Sequence, residues 1–420
     1  MAEPGGGRTA EVADADRPGA VAPAVVLLLG PAHSVHTRRW ASALAGRGHR
    51  VVVTGWAPAA PLPGVEIRVP GAGGRAPGGP VGGAWRLLTT GWWLRRQVRR
   101  LRPDVVHVHS VGRAGLLSLA LPRDAVRVVT PWGSELRTAT SSRLRGWVTR
   151  RAFRRADLVL PTSASVTAEV TTRYRIPASR TATLSWGVDD SLFRLRDTVR
   201  RADVRRGLGV PVDATVVLAP RGVSPVYRTD DVLRAFTQVA AERPDLHLVV
   251  LAGHEPAEPG AARARADGLL RATERAEQLP ERVTLVPRTL TPAETFALMC
   301  ASDVVVSVPR SDQRSSSVLE AALAGCRLLL ADLPPYRELR ADGLVADLVA
   351  EPLAPRLADA LRAVGPLAPA QRSTNADLIQ ATETWSRQVS AMQGLYRRLC
   401  AEGRRRGRSA RHRPRSGEHS

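Results

Sequence analysis

The chain has 420 residues, 44% apolar and 24% charged, long enough for two ordinary domains and too apolar to be disordered throughout. Its 61 basic residues outnumber 39 acidic ones for a net charge of +22. All of the basic residues are arginine, which excludes Schiff-base and lysine-clamp chemistry and makes every fixed cation a planar guanidinium suited to anions. Three cysteines, Cys300, Cys326 and Cys400, are too few for a disulfide framework or zinc cluster. They suggest a reducing, cytoplasmic setting, and no uncharged apolar run approaches the ~20 residues of a membrane-spanning helix.

Residues 1–23 are rich in Gly, Pro, Ala and acids, lack the apolar core of a signal peptide, and read as a disordered segment. Continuous apolar runs follow at 25–29, 51–54, 105–108, 126–130 and 158–160, with helical patterns between them at 37–45, 85–101 and 142–156. Unbroken runs of this kind mark strands buried on both faces, as in a parallel sheet covered by helices. Within 85–101, Trp85, Leu88 and Trp92 recur at helical spacing and are expected to face the sheet, with the neighbouring arginines in water. Basic helices bearing tryptophan also suit an anionic membrane surface, so peripheral contact with the inner face of the cell membrane is a second expectation.

Apolar periodicity lapses near 191–210, then runs resume at 215–218, 246–251, 283–286, 304–308 and 328–330. Helical patterns at 230–241, 292–300 and 316–323 alternate with them, and a last one covers about 375–400. Two βαβ series predict an α/β chain of two doubly wound, Rossmann-like domains, with ligands at the carboxyl ends of the strands and the two domains facing across a cleft. The expected boundaries are 24–195, 196–370, a helical segment at 371–400, and a basic disordered tail at 401–420.

The most specific segment is Ser307-Val-Pro-Arg-Ser-Asp-Gln-Arg-Ser-Ser-Ser-Val-Leu-Glu-Ala-Ala-Leu-Ala-Gly325. A buried strand here ends in a polar loop and enters a helix near Ser315, Ser316 and Ser317. The first-turn N–H groups and the helix dipole suit an anion, although serines are also ordinary N-caps. Asp312 in the loop and Glu320 in the helix are eight residues apart and can reach different parts of one ligand. His107 and His109 alternate on one strand and point the same way, and one of them can equally be a satisfied buried histidine. Asp14-Ala-Asp16 lies in the first segment, and no His/Cys cluster has metal spacing, so neither a catalytic metal nor a cofactor is expected.

The Asp-x7-Glu spacing followed by Ala-Ala-Leu-Ala-Gly resembles the acid-x7-Glu motif of family-four retaining glycosyltransferases of the GT-B fold. Other segments resemble that family in the same order. They are Ser34 through Val53 with its Gly48-His-Arg-Val turn, Pro103-Asp-Val-Val-His-Val-His109, Arg154-Arg-Ala-Asp-Leu-Val159 and Ser185-Trp-Gly-Val-Asp189. The resemblance spans about residues 25–396.

It implies transfer of a hexosyl or N-acetylhexosaminyl group, with retention, from a nucleoside-diphosphate sugar, chiefly a UDP sugar, to a hydroxyl acceptor in glycan, glycolipid or glycoconjugate biosynthesis. Glu320 would then accept the donor ribose hydroxyls, Asp312 would meet the donor sugar, and Ser315–Ser317 would face sugar and diphosphate. Arg221 matches the diphosphate-binding arginine. The family's following lysine is replaced by Val226 and Tyr227, with Arg228 next to supply charge. Where many members have a Gly-Gly loop, this chain has Gly30-Pro-Ala-His-Ser-Val-His36, so His33 and His36 are candidates on the acceptor side. Trp132 stands where many members carry a sugar-contacting histidine, leaving His109 and Glu135 as polar candidates in the first domain. A sugar-nucleotide epimerase of the same fold and a non-catalytic pathway scaffold are the alternatives, and a nucleic-acid role lacks any binding module.

Overall fold

The computed structural model describes residues 23–70, 79–140, 142–252, 268 and 280–411. The chain divides into two compact units. One combines Met1–Pro161, Thr167–Leu184 and Arg387–Ser420, and the other Thr162–Val166 and Ser185–Ser386.

The first unit is built on a six-stranded parallel sheet. Its strands are β1 (Val25–Leu29), β2 (Arg50–Thr54), β3 (Val65–Arg68), β4 (Val105–His109), β5 (Val126–Thr130) and β6 (Leu158–Val159), in the order β3-β2-β1-β4-β5-β6. Helix α1 (Val35–Gly46) connects β1 to β2; α2 (Gly79–Leu101), α3 (Arg113–Ser118), α4 (Ser134–Thr140) and α5 (Arg143–Arg155) follow, and the residues of α6 (Ala164–Thr172) are shared between the two units. From β1 the chain winds first towards β3 and then back towards β6. Right-handed crossovers therefore put α2, α3 and α5 on the face opposite α1, and α3 packs against both α2 and α5. Strands β1 and β4 are buried almost throughout, the reason their sequences carry no polar alternation.

The second unit repeats the winding with β7 (Thr215–Ala219), β8 (Leu246–Leu251), β9 (Val283–Val286), β10 (Val304–Ser307), β11 (Arg327–Ala331) and β12 (Asp347–Val349), in the order β12-β11-β10-β7-β8-β9. Its helices are α7 (Asp190–Arg196), α8 (Arg201–Gly207), α9 (Thr229–Val239), α10 (Pro292–Ala301), α11 (Ser316–Ala324), α12 (Pro334–Ala341), α13 (Leu353–Ala363) and α14 (Pro369–Thr382). The apparent lapse at 191–210 is thus two short helices. Buried Arg205 of α8 ties them to the sheet, donating to Asp303 Oδ2 at 2.7 Å while that carboxylate also accepts from Val216 N at 2.8 Å.

Four expectations change. Strands β3 and β12 have no counterpart among the apolar runs, because both are short edge strands with half-exposed residues. The last helical stretch is broken after Thr382, where Thr384 bridges to Val188, and resumes as α15 (Trp385–Arg411). That helix continues past Cys400 into the segment read as a tail, and 412–420 lie outside the described residues, as does Asp14-Ala-Asp16. Tyr396 of α15 returns to the first unit and meets His107 Nδ1 at 2.6 Å. Finally, Trp85, Leu88 and Trp92 do not face the sheet: all three are exposed, and α2 buries Thr90, Gly91, Leu94 and Val98 instead.

Candidate functional site

In both sheets the winding reverses between two central strands, β1 and β4 in the first, β7 and β10 in the second. Loops diverge at such points and leave room for a ligand at the strands' carboxyl ends. The sequence-derived candidates fall at these two edges.

In the second unit, β7 delivers Arg221 two residues beyond its end, and the loop after β10 delivers Asp312 and Ser315. Arg221 Nη1 donates to Asp312 Oδ2 at 2.9 Å, to Ser317 Oγ at 3.2 Å, and to Ser315 Oγ. Its guanidinium lies over the Tyr227 ring, 4.9 Å from the centroid. Burial alone would lower the Arg221 pKa, but the Asp312 carboxylate and the tyrosines beside it raise it, so the cation is fixed. Ser315 occupies the N-cap of α11, yet its hydroxyl makes no capping bond and serves Arg221 instead. The Ser315 side chain therefore does not cap the helix. Ser316 and Glu320 are four residues apart on α11 and so share a helix face; both are half-buried.

Tyr336 completes the cluster. It is wholly buried on α12, donates to Asp312 Oδ2 at 2.7 Å and lies 3.3 Å from Ser307 Oγ. Burial, and then the Asp312 charge, hold its pKa well above the usual value, so it stays a phenol and a donor. Sequence reasoning missed it, since it sits 24 residues from Asp312. The available signal was a tyrosine just beyond an apolar run, in Leu333-Pro-Pro-Tyr336. Gln313 was missed as well: buried, it accepts from Thr162 N at 3.0 Å and Thr162 Oγ1 at 2.7 Å, pinning the loop that carries Asp312.

Arg228 is not brought into this cluster. Among the described residues its bonds go to Asp231 Oδ2, 2.8 Å from Nε, and to Glu351, whose Oε2 is 3.3 Å from Nη2. With φ of 57° it forms the left-handed turn into α9. Its charge is thus matched by two acids within the fold.

In the first unit, His109 ends β4 and Gly30 follows β1. A Cβ on Gly30 would stand 2.9 Å from His109 Cβ, so only glycine lets the two strands' ends approach as they do. His109 Nδ1 lies 3.3 Å from Thr37 Oγ1, and burial, reinforced by His36, lowers its pKa to about 3. It is a neutral ring at physiological pH. His107 is the satisfied histidine of the pair, bonded to Tyr396 and, at 2.8 Å, to Thr130 Oγ1. Trp132 stands beside both His36 and His109, with ring centroids 5.8 and 6.3 Å away. Glu135 Oε1 accepts from Trp132 N at 2.6 Å and Val111 N at 3.2 Å, which ties the loops after β4 and β5 together. His33 is exposed on the loop after β1, whereas His36, expected on that loop, is half-buried in the first turn of α1, whose N-cap residue is Ser34. Among the described residues, no three His, Cys, Asp or Glu side chains gather as a metal site requires.

Residues 33–192 match the family model described as Glycosyltransferase Family 4. Two curated relatives are D-inositol 3-phosphate glycosyltransferases. That of Thermomonospora curvata is 31% identical over 201 residues, 44% of this chain and 42% of the relative. That of Mycolicibacterium paratuberculosis is 32% identical over 220 residues, 51% of this chain and 47% of the relative. The chain thus spans about half the length of the curated relatives it matches. Among solved structures, sucrose-phosphate synthase from Thermosynechococcus elongatus superimposes with a TM-score of 0.72 at 19% identity, covering 90% of this chain and all (100%) of that one. HepE from Anabaena in complex with UDP and glucose does so with a TM-score of 0.64 at 15% identity, covering 89% and 99%. Residues 33–192 are thus similar in sequence to family 4 glycosyltransferases, and the two parallel sheets have the GT-B fold of these solved structures.

Proposed function

We propose that the chain is a retaining glycosyltransferase that takes a nucleoside-diphosphate sugar, with UDP as the nucleotide, and transfers a hexosyl or N-acetylhexosaminyl group to a hydroxyl acceptor. The observation that carries this reading is the Arg221, Asp312, Ser315 and Ser317 cluster at the head of α11. A guanidinium held beside hydroxyls and a helix N-terminus suits a diphosphate. The UDP complex of HepE, a protein of the same fold, supports the choice of nucleotide.

In this reading Arg221 exchanges Asp312 for phosphate oxygens when the donor arrives. Asp312, still held by Tyr336, then accepts from the sugar hydroxyls, and Glu320 from the ribose. The bond between the anomeric carbon and the phosphate oxygen breaks with its electron pair going to the diphosphate. The acceptor oxygen forms its bond on the same face, and its proton passes to the departing phosphate. Arg221 meets the charge that develops on the leaving group, so it acts more strongly on the transition state than on the bound donor. His109, held neutral by burial, can offer a hydrogen bond but no charge at the carboxyl end of β4. Glu135 and Arg228 are positioning residues, the first for the loops around His109 and the second for the start of α9.

The test is thermal stabilisation of the whole chain by a panel of UDP sugars, followed by product analysis with the stabilising donor. A ligand bound only by the native state raises its apparent stability. Glu320→Gln should weaken that donor by about ten- to a hundredfold, equivalent to ~1.5–3 kcal/mol for hydrogen bonds to a charged group, with activity persisting in EDTA. A wild-type chain stabilised by no nucleotide sugar, or a Glu320→Gln variant of unchanged affinity, overturns the assignment. Recovery of an epimerised donor in place of a glycoside would move the chain to the isomerase reading.

A further inference from the structure

Helices α2 and α5 flank α3 on one face of the first sheet. Arg95 of α2 donates to Ala120 O at 3.3 Å, and Arg155 of α5 donates to Leu119 O, so both helices reach the same turn at the end of α3. Their inward sides are filled, by Leu94 and Val98 in α2 and by Val148, Ala152 and Phe153 in α5.

Their outward sides are apolar where water would favour polar groups. Trp85, Leu88 and Trp92 follow the i, i+3, i+7 spacing of one helix stripe and are 58%, 71% and 64% exposed. Leu144 and Trp147, at i and i+3 on α5, are 70% and 56% exposed. Exposed arginines accompany both stripes: Arg95, Arg96, Arg99 and Arg100 in the last turns of α2, and Arg143, Arg150, Arg151 and Arg154 on α5. The Arg96 guanidinium rests 5.5 Å above the Trp92 ring. Neither helix contains a single aspartate or glutamate.

We propose that this α2–α5 face docks on the surface of an anionic lipid bilayer. The pattern selects that occupant. Two copies of the chain would oppose like-charged arginine rows across any face-to-face dimer. A nucleic acid would use the arginines and stack on tryptophan, but would leave Leu88 and Leu144 without a partner. At a bilayer, the Trp and Leu side chains enter the boundary between headgroups and acyl chains, and the long arginine stems lie along it with their heads at the lipid phosphates. The proposal stands independently of the transferase reading.

Sedimentation with phosphatidylcholine vesicles, with and without phosphatidylglycerol, tests it on the full chain. The wild type should bind the phosphatidylglycerol vesicles, bind phosphatidylcholine alone far more weakly, and be released by salt. Replacing Trp85, Leu88 and Trp92 together by serine should cut partitioning at least about tenfold. Replacing Arg95, Arg96, Arg99 and Arg100 by glutamine should cut it by about fivefold per charge, the equivalent of ~1 kcal/mol each. All seven residues are exposed and, among the described residues, only the 3.3 Å hydrogen bond from Arg95 to Ala120 O is given up. Circular dichroism should therefore match the wild type with the thermal midpoint close to it, and Trp92→Ser alone serves if the triple variant does not fold. Wild-type partitioning by either multiple variant, equal binding to both vesicles, or no vesicle binding would overturn the proposal. A dimer abolished by the serine variant, or RNA binding without vesicle binding, would overturn it in favour of that other partner.

Discussion

Arg221→Ala is the sharpest perturbation of the proposed donor site. It removes the only cation hydrogen-bonded to Asp312 among the described residues, together with the donors to Ser315 and Ser317. In the donor complex the same Nη1 would face the leaving diphosphate. A charge-assisted contact is worth roughly 1.5–3 kcal/mol, and charge builds on the diphosphate in the transition state, so kcat should fall about ten- to a hundredfold. The fold should survive, because Asp312 keeps the Tyr336 hydroxyl and the Gln313 backbone N–H, 2.7 and 2.9 Å away. The assay is release of nucleoside diphosphate at saturating donor, which separates kcat from KM. Arg228→Ala is the contrast. It strips one partner from buried Asp231 and from Glu351, so it should lower the thermal midpoint with a smaller loss of kcat than Arg221→Ala. Full kcat in Arg221→Ala would refute the phosphate role, and a larger kcat loss in Arg228→Ala than in Arg221→Ala would refute the division of labour between the two arginines.

Two further outcomes follow from the first unit. Gly55→Ala should destabilise by about 1–3 kcal/mol, in the range of overpacked cores, because the new Cβ would stand 2.5 Å from the Gly30 carbonyl oxygen; an unchanged urea midpoint would refute the close approach. His107 and His109 are held neutral by burial, their pKa values lowered well below 6.5 and to about 3 respectively. The unfolded chain therefore binds protons that the native state refuses, and stability should fall as pH drops below about 6.5, by at most about 1.4 kcal/mol per pH unit for each histidine down to its native pKa. His109→Gln should flatten that slope in denaturant titrations between pH 6 and pH 4 at unchanged ionic strength.

What could be read along the chain was whatever depends on local burial. Strands such as Val25–Leu29 and Val105–His109 are covered on both faces, so each appears as an unbroken apolar run. The polar loop and helix start around Asp312 and Ser315 were legible for the same reason, as the interruption that follows a buried strand. Edge strands Val65–Arg68 and Asp347–Val349 left no such mark, because both are short and most of their residues are only partly buried. Which side of a helix turns inward was not legible either. Periodicity in Gly79–Leu101 gives the spacing of Trp85, Leu88 and Trp92, but Leu94 and Val98 form a second apolar stripe, and packing against the sheet and α3 chose that one. Partner choice likewise belongs to the tertiary structure. Arg221 and Arg228 are seven residues apart and chemically identical, yet one meets Asp312 and Tyr227 and the other Asp231 and Glu351. Only the positions of β7, β10 and α9 in the folded sheet decide which acid lies within 3 Å of which guanidinium, and charge alone carries no such information.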